Sequence, residues 1–248
     1  MWERRELKRR AKEVLRKSYW KAFLVGIILA FVSGGISPPS FNFGSTEMSR
    51  TETTNVDWEI LAPFLVIGII IIAAIFLFFL AFRIFLGFPL TVGAMRYYKQ
   101  AAEGDANLNH LGFAFNKTRY WGTVKALLWS TFLNLLWFLL LYIPGIVKSY
   151  AYSLVPFILA DNPNIGYKRA VDLSNRMTRG HKFRIFVLDL SFVGWILLGV
   201  LALFIGVLFV IPYIYSTKAE LYLELRQEAL QTGLTTEDEL HLNHTPAL

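Results

Sequence analysis

The chain has 248 residues, of which 55% are apolar and 17% are charged, and its mean hydropathy is +0.45. This composition is more apolar and less charged than that of a soluble domain, and it favours a membrane protein. The net charge of +7 does not indicate nucleic-acid binding, because Lys and Arg residues lie beside apolar blocks, as they do in cytoplasmic loops. The absence of Cys excludes disulfides, thiolate metal sites and cysteine nucleophiles.

Residues 1–19 form a basic amphipathic segment with a narrow apolar stripe at helical spacing. The stripe consists of Leu7, Ala11, Val14 and Leu15. Such a helix lies in the headgroup layer, attracted to anionic lipid, or packs as a solvated helix on the protein's own loops, and both alternatives stay open. No signal-peptide cleavage site follows, so we expect a retained first crossing over residues 20–36.

The first predicted crossing carries small residues every fourth position, at Gly26, Ala30 and Gly34. Small side chains on one face allow another helix to approach closely, either within the chain or in a dimer. The polar stretch that follows, residues 37–58, contains Arg50 as its only basic residue. It is predicted to be an outside loop.

The second predicted crossing begins near residue 58, and its apolar character continues to about residue 95. One straight helix of that length would measure roughly 54 Å, which exceeds a simple span. A break is therefore expected at Gly87 and Pro89. The second part, which contains Arg96 and Lys99, either lies along the inner interface or continues as a bent helix.

The remaining predicted crossings are residues 121–143, 146–160, 183–201 and 203–223. Pro144 and Gly145 predict a tight turn at the outer face. A cytoplasmic helix is predicted over residues 161–182, because Asp161-Asn162-Pro163 supplies a capping side chain followed by proline in the first turn. The polar residues 226–248 form a cytoplasmic tail.

The distribution of Lys and Arg predicts the orientation. Nine lie in residues 1–21, four in 96–120 and six in 168–184, against one in residues 37–58. Because cytoplasmic segments collect positive charge, both termini are expected inside a bacterial plasma membrane. The predicted fold is an all-α integral membrane protein: a single membrane domain, residues 1–225, with about six transmembrane helices in three hairpins and cytoplasmic amphipathic helices.

Three basic and aromatic clusters open predicted crossings and suggest a threefold internal repeat. The candidate interfacial anchors in them are Tyr19, Trp20, Tyr120, Trp121, Lys182 and Arg184. Aromatic rings and snorkelling cations are favoured where a helix enters the headgroup layer. Any multi-span protein has such borders, so the repeat remains one of two explanations.

Four segments resemble a known bacterial membrane family. They are residues 143–152 (IPGIVKSYAY), 161–163 (DNP) and 188–195 (LDLSFVGW), and the N-terminal pattern Glu6, Leu7, Lys8, Ala11, Lys12, Tyr19, Trp20 and Lys21. In this order they are similar to domain-of-unknown-function family 975. The resemblance implies a multi-pass membrane protein and carries over no activity and no catalytic residues.

Charged and polar groups inside predicted crossings are candidates for ligand or lipid contact, because burying charge in hydrocarbon is costly. The candidates are Lys148, Tyr150, Tyr152 and Asp189. Lys148, expected near the outer end of its crossing, could snorkel outward, pair with an acid or hold an anionic headgroup. Asp189 could form a structural ion pair, bond a Tyr hydroxyl or relay protons. Lys125 and Arg83 are expected at the inner border.

Catalytic motifs for hydrolases, phosphate loops and zinc enzymes are missing from the sequence, so no enzyme, metal or cofactor is expected. The favoured hypothesis is a non-enzymatic scaffold or accessory factor that acts through lipid and helix contacts. Its expected partners are anionic headgroups and a second copy or another membrane protein, without nucleic acid. The alternative is a transporter of a small amphiphile or lipid around the four candidates, and an intramembrane enzyme is a third hypothesis.

Overall fold

The computed structural model describes residues 2–32, 58–201 and 205–242, and within these ranges no strand occurs. The α-helices of these ranges are α1 (Arg4–Val32), α2 (Trp58–Phe82), α3 (Phe88–Ala102), α4 (Lys117–Leu140), α5 (Tyr142–Ala151), α6 (Val155–Asp161), α7 (Tyr167–Met177), α8 (Lys182–Leu201) and α9 (Ile205–Gln231). A π-helical turn, Arg83–Gly87, joins α2 to α3, and a 3-10 segment, Leu108–Phe115, precedes α4.

Helices long and apolar enough to cross a membrane lie at Ala62–Ala102, Lys117–Leu140, Tyr142–Asp161 and Lys182–Leu201. These four stretches correspond to the second to fifth predicted crossings. The end of the first predicted crossing and the predicted outside loop up to residue 57 lie outside the described residues. The helix α9 does not meet the same criterion. The total of six crossings and their pairing into hairpins therefore stay predictions.

The predicted amphipathic segment and the start of the first crossing form one helix, α1. Ser18 interrupts it with φ −140° and ψ 30°, and its hydroxyl donates to the Val14 carbonyl at 3.2 Å. A hydroxyl that bonds back one turn in this way bends a helix. On the N-terminal half, Leu7, Ala11 and Leu15 are buried against the protein. This burial agrees with the alternative in which the segment packs on its own chain.

The chain stays helical from α2 into α3, which agrees with the alternative in which the helix continues, and no break occurs at Gly87 and Pro89. The π-helical turn Arg83–Gly87 absorbs the proline instead. Pro89 has no N–H to donate to Phe85, its usual acceptor one turn earlier. The Phe85 carbonyl accepts the Tyr120 hydroxyl at 2.8 Å, so the acceptor is satisfied from α4.

The predicted start of the cytoplasmic helix at Asp161 is wrong. Asp161 is the last residue of α6, and α7 begins at Tyr167. The Asp161 carboxylate is bound by Lys99, so it does not cap the following backbone. Asn162 does so, accepting the Asn164 N–H at 2.9 Å in the connecting turn.

The turn predicted at Pro144 and Gly145 lies a few residues earlier. Leu141 is extended, with φ −157°, and reverses the chain between α4 and α5. Pro144 lies in the first turn of α5, where its missing N–H costs no helical hydrogen bond. Gly145 faces Phe138 so closely that a Cβ would lie 2.5 Å from the ring, which explains glycine in this hairpin.

The predicted small face of the first crossing is confirmed for its described part. A Cβ on Gly26 would lie 3.1 Å from Ile211 and 3.2 Å from the Tyr98 hydroxyl, and Ala30 is buried. The Tyr98 hydroxyl donates to the Ala22 carbonyl at 2.7 Å. The helices α1, α3 and α9 therefore meet closely at this point, and Gly34 lies outside the described residues.

The helix α2 is left uncovered by the described chain. Every large apolar side chain from Phe64 to Phe79 is more than half exposed. Large apolar surfaces also lie on the faces of α4 and α8 that point away from the rest of the protein, where Leu139 and Leu201 are more than 80% exposed. An apolar surface of this extent is typical of a membrane or protein contact.

Candidate anion-binding groove

Four Lys and Arg side chains line one groove of about 820 Å³, and Arg176 is the one of them that pairs with a carboxylate, Asp172. The other three are Lys148 on α5, Arg179 in the turn after α7, and Lys182 at the start of α8. The opposite wall is formed by α9, through Leu225 and Glu228. This space is called the basic groove below.

The chain reaches this arrangement because α7 turns back towards α5. The Ser174 hydroxyl donates to the Ala151 carbonyl at 2.7 Å and fixes the two helices against each other. Gly180, with φ +84°, then lets the chain reverse into α8. Lys182 is thereby placed with its Nζ donating to the Asn175 side chain at 3.2 Å.

The carboxylates of the basic groove already have partners. Asp172 pairs with Arg176 at 2.9 Å, and Glu228 contacts His181 at 3.3 Å. No carboxylate of the described residues lies within 4.0 Å of Lys148, Arg179 or Lys182. Three neighbouring cations without carboxylate partners form an attractive site for an anion, because like charges held close together repel one another.

An aromatic and apolar border lies next to these cations. The Lys148 Nζ is 4.8 Å from the centroid of the Trp137 ring and 6.0 Å from that of Tyr152. Phe183, which follows Lys182 in the chain, is 74% exposed, and Val147 is also exposed. Cations next to aromatic rings and exposed apolar surface are the combination found where helices meet lipid headgroups.

The four candidate contact residues are not brought together. The Lys148 ammonium lies next to the rings of Trp137 and Tyr152, whereas Asp189 pairs with Lys218 at 3.2 Å. Asp189, Lys218 and Tyr150 line a separate cavity of about 230 Å³. For Asp189, the structure agrees with the structural ion pair among the alternatives.

Lys148 shares the basic groove with Arg179 and Lys182. This arrangement follows from the short α5, which ends at Ala151, together with the return of α7 towards it. The predicted position of Lys148 near the outer end of its crossing and that of Lys182 at the inner border therefore do not hold together, and the side of the membrane stays a prediction.

The predicted anchors divide into exposed and bonded residues. Trp20 and Trp121 are exposed, as an interfacial position requires. The Tyr19 hydroxyl donates to the Phe209 carbonyl at 3.4 Å, and Arg184 donates to the Trp2 carbonyl. These contacts show that part of the aromatic and basic pattern serves helix packing.

Sequence reasoning missed a buried charge cluster at the meeting point of α3, α6 and α9. Its members are Lys99, Glu103, Asp161, Tyr222 and Arg226. Lys99 and Asp161 have side chains 4% and 0% exposed. Lys99, Asp161 and Tyr222 are about sixty residues apart in the chain. The only local signals of the cluster are the i, i+4 spacings of Lys99 with Glu103 and of Tyr222 with Arg226.

The fold is that of an all-helical chain with several helices of membrane-crossing length and composition. Among the described residues, no group of three or more His, Asp or Glu side chains is placed to hold a metal ion. The model of the family described as "Protein of unknown function (DUF975)" matches residues 59–229. The chain belongs to this family. No curated protein and no solved structure matches it.

Proposed function

We propose that this protein is a non-enzymatic, multi-pass protein of a bacterial plasma membrane, with both termini in the cytoplasm, that binds anionic lipid headgroups and acts as a scaffold or accessory factor. The observation that carries this proposal is the basic groove. Three of its cations, Lys148, Arg179 and Lys182, lie beside exposed apolar surface and have no carboxylate partner among the described residues.

The chemistry of the groove matches a phosphodiester headgroup. Lys148, Arg179 and Lys182 supply nitrogen donors, and a phosphate supplies oxygen acceptors for charge-assisted hydrogen bonds. Each cation near an anionic leaflet contributes about 1 kcal/mol. The exposed Val147 and Phe183 offer apolar contact for the acyl chains of the same lipid.

The uncovered α2 supports the scaffold part of the proposal. Its apolar residues between Phe64 and Phe79 must be covered by lipid or by a membrane protein partner, including a second copy of the chain, because their exposure to water would be unfavourable. The excess of Lys and Arg in residues 1–21 and 168–184 supports the proposed orientation.

Transport of a small amphiphile is less well supported. The cavity that contains Asp189 measures about 230 Å³ and does not include Lys148. Sites for drug-sized ligands usually measure about 300–1,000 Å³. The intramembrane charges therefore do not form the shared cavity that this alternative requires.

Native mass spectrometry of the protein in mild detergent tests the proposal. Wild type is expected to retain phosphatidylglycerol in preference to phosphatidylcholine. The double variant Lys148→Gln/Lys182→Gln removes two groove cations and should lower that retention roughly thirtyfold, at about 1 kcal/mol per cation. Lys168→Gln, which removes an exposed cation outside the groove, serves as the control and should leave retention unchanged.

Two results would overturn the lipid proposal. Equal retention of the two lipids by wild type would show that the groove does not select negative charge. An equal loss in the double variant and in Lys168→Gln would assign the effect to overall charge. Turnover of a substrate by the purified protein would overturn the non-enzymatic assignment.

A further inference from the structure

A second groove, of about 1180 Å³, lies between α1, the end of α3 and α9. Its charged side chains include more acids than bases, although the whole chain has a net charge of +7. The acids are Glu13, Glu103, Asp105, Glu220, Glu224 and Glu237, and the bases are Arg10, Lys17, Lys21 and Arg226. This space is called the acidic groove below.

Most of these acids have close partners. Glu224 accepts from Arg10 at 2.6 Å, and Glu103 accepts from Arg226 at 2.6 Å. One further acid of the groove is buried and accepts no hydrogen bond from the described residues.

Glu220 is this carboxylate. It is 5% exposed, and no hydrogen-bond donor of the described residues reaches its carboxylate. Arg10 forms a loose ion pair with it, with Nη1 4.0 Å from Oε2, which lies beyond hydrogen-bond distance. Arg10 instead donates to Glu224 and, at 3.1 Å, to Glu6. A buried carboxylate normally has a close partner, because its desolvation is costly.

We propose that the acidic groove binds an organic cation whose primary ammonium group donates hydrogen bonds to Glu220. A metal ion is a poorer match, because no group of three acidic or His side chains of the described residues is placed to hold one. An ammonium on an alkyl stem fits better, because Val14, Leu223 and Leu230 give the groove apolar lining. This site differs from the basic groove in its residues, in its sign of charge and in the ligand that it takes.

Isothermal titration calorimetry with spermidine tests this site on the full chain in detergent, at low ionic strength. Spermidine carries primary ammonium groups on alkyl stems. Glu220→Gln should weaken binding at least about tenfold, because it removes the buried acceptor charge. The matched control Glu237→Gln removes an exposed carboxylate from the rim of the same groove, and it should change affinity by less than about threefold.

A second variant, Glu220→Asp, keeps the charge but withdraws it by one methylene, and an intermediate affinity is expected. The Glu220→Asp variant can still test the site if Glu220→Gln fails to fold. Absence of spermidine binding to wild type would overturn the proposal, as would equal affinities for all variants. Competition by Mg²⁺ that is as strong as that of an alkylammonium would overturn it too, because it would indicate diffuse attraction to negative charge.

Discussion

The Tyr222 hydroxyl donates to the Asp161 carboxylate at 2.6 Å, at a point where the Asp161 side chain has no exposed surface. Lys99 pairs with the same carboxylate, and Arg226 lies 3.3 Å from it. One acid thus joins the ends of α3 and α6 to α9. Because two cations depend on it, this carboxylate should be central to the stability of the helical arrangement.

Asp161→Asn should destabilise the protein by about 3–5 kcal/mol, because the buried Lys99 is then left with only the more distant Glu103, at 3.9 Å. Tyr222→Phe removes one hydrogen bond to the charged group and should cost about 1.5–3 kcal/mol. Thermal unfolding in detergent measures both. Equal midpoints for wild type and Asp161→Asn would show that the cluster does not hold the helices together.

Gly93→Ala should disrupt the contact between α3 and the 3-10 segment Leu108–Phe115. A Cβ on Gly93 would lie 2.1 Å from the Leu111 carbonyl oxygen, so the backbone would have to move. Gly112→Ala is the matched control in the adjacent segment, where a Cβ meets no atom within 4 Å. Only the first variant is expected to lower the unfolding temperature or the folded yield in size-exclusion chromatography, and a similar loss in both would contradict the close approach.

Hydrophobic length and local turn chemistry were sufficient to predict much of the fold. Apolar runs of about 20 residues with few charges located the four stretches of membrane-crossing length, because the length of such runs depends on the helix alone. The repeat of small residues located the close approach at Gly26 for the same reason. Family membership followed from segments that can be compared without knowledge of their contacts.

Positions that depend on distant partners could not be predicted. Pro89 breaks a helix unless its neighbours accommodate it, and here a π-helical turn and the Tyr120 hydroxyl do so. Asp161 resembles a helix cap until Lys99 is brought beside it. Lys148 reaches the basic groove only because α7 folds back, which no local pattern encodes. The missing information in each case is tertiary.

Single-cysteine labelling can test the proposed membrane arrangement directly, because the natural chain contains no Cys. In sealed cells, Lys168→Cys should react with an impermeant maleimide only after the membrane is opened, since the segment around it is proposed to lie inside. Ile72→Cys, in the middle of α2, should stay unreactive in membranes, because thiolates form poorly in hydrocarbon. Reaction of Lys168→Cys in intact cells would contradict the orientation, and rapid reaction of Ile72→Cys would contradict a membrane position for α2.

Residues 234–242 fold back onto α7 through one arginine. Arg169 donates to both carboxylate oxygens of Glu239, at 2.6 Å from Nε and 2.9 Å from Nη2, and also to the Leu234 carbonyl at 2.8 Å. Hydrogen bonds from Arg169 lower the pKa of Glu239, and partial burial opposes this shift only in part. The hydroxyl of Thr235 donates to the same carboxylate at 2.8 Å.

Acid should therefore release this C-terminal segment. Because the pKa of Glu239 is lower when the segment is docked, the pair stabilises docking above the undocked pKa, about 4.3. This contribution is lost as the pH falls through the docked pKa. Hydrogen exchange of residues 234–242, corrected for the intrinsic rate at each pH, should show protection at pH 7 that falls below about pH 4. Arg169→Gln should remove most of this protection at pH 7. The control Arg176→Gln should leave the protection unchanged, because its partner Asp172 lies on the same helix. Unchanged protection in Arg169→Gln would mean that apolar contacts and the hydrogen bond from the Asn162 amide to the Glu239 carbonyl, at 2.9 Å, hold the segment without the ion pair.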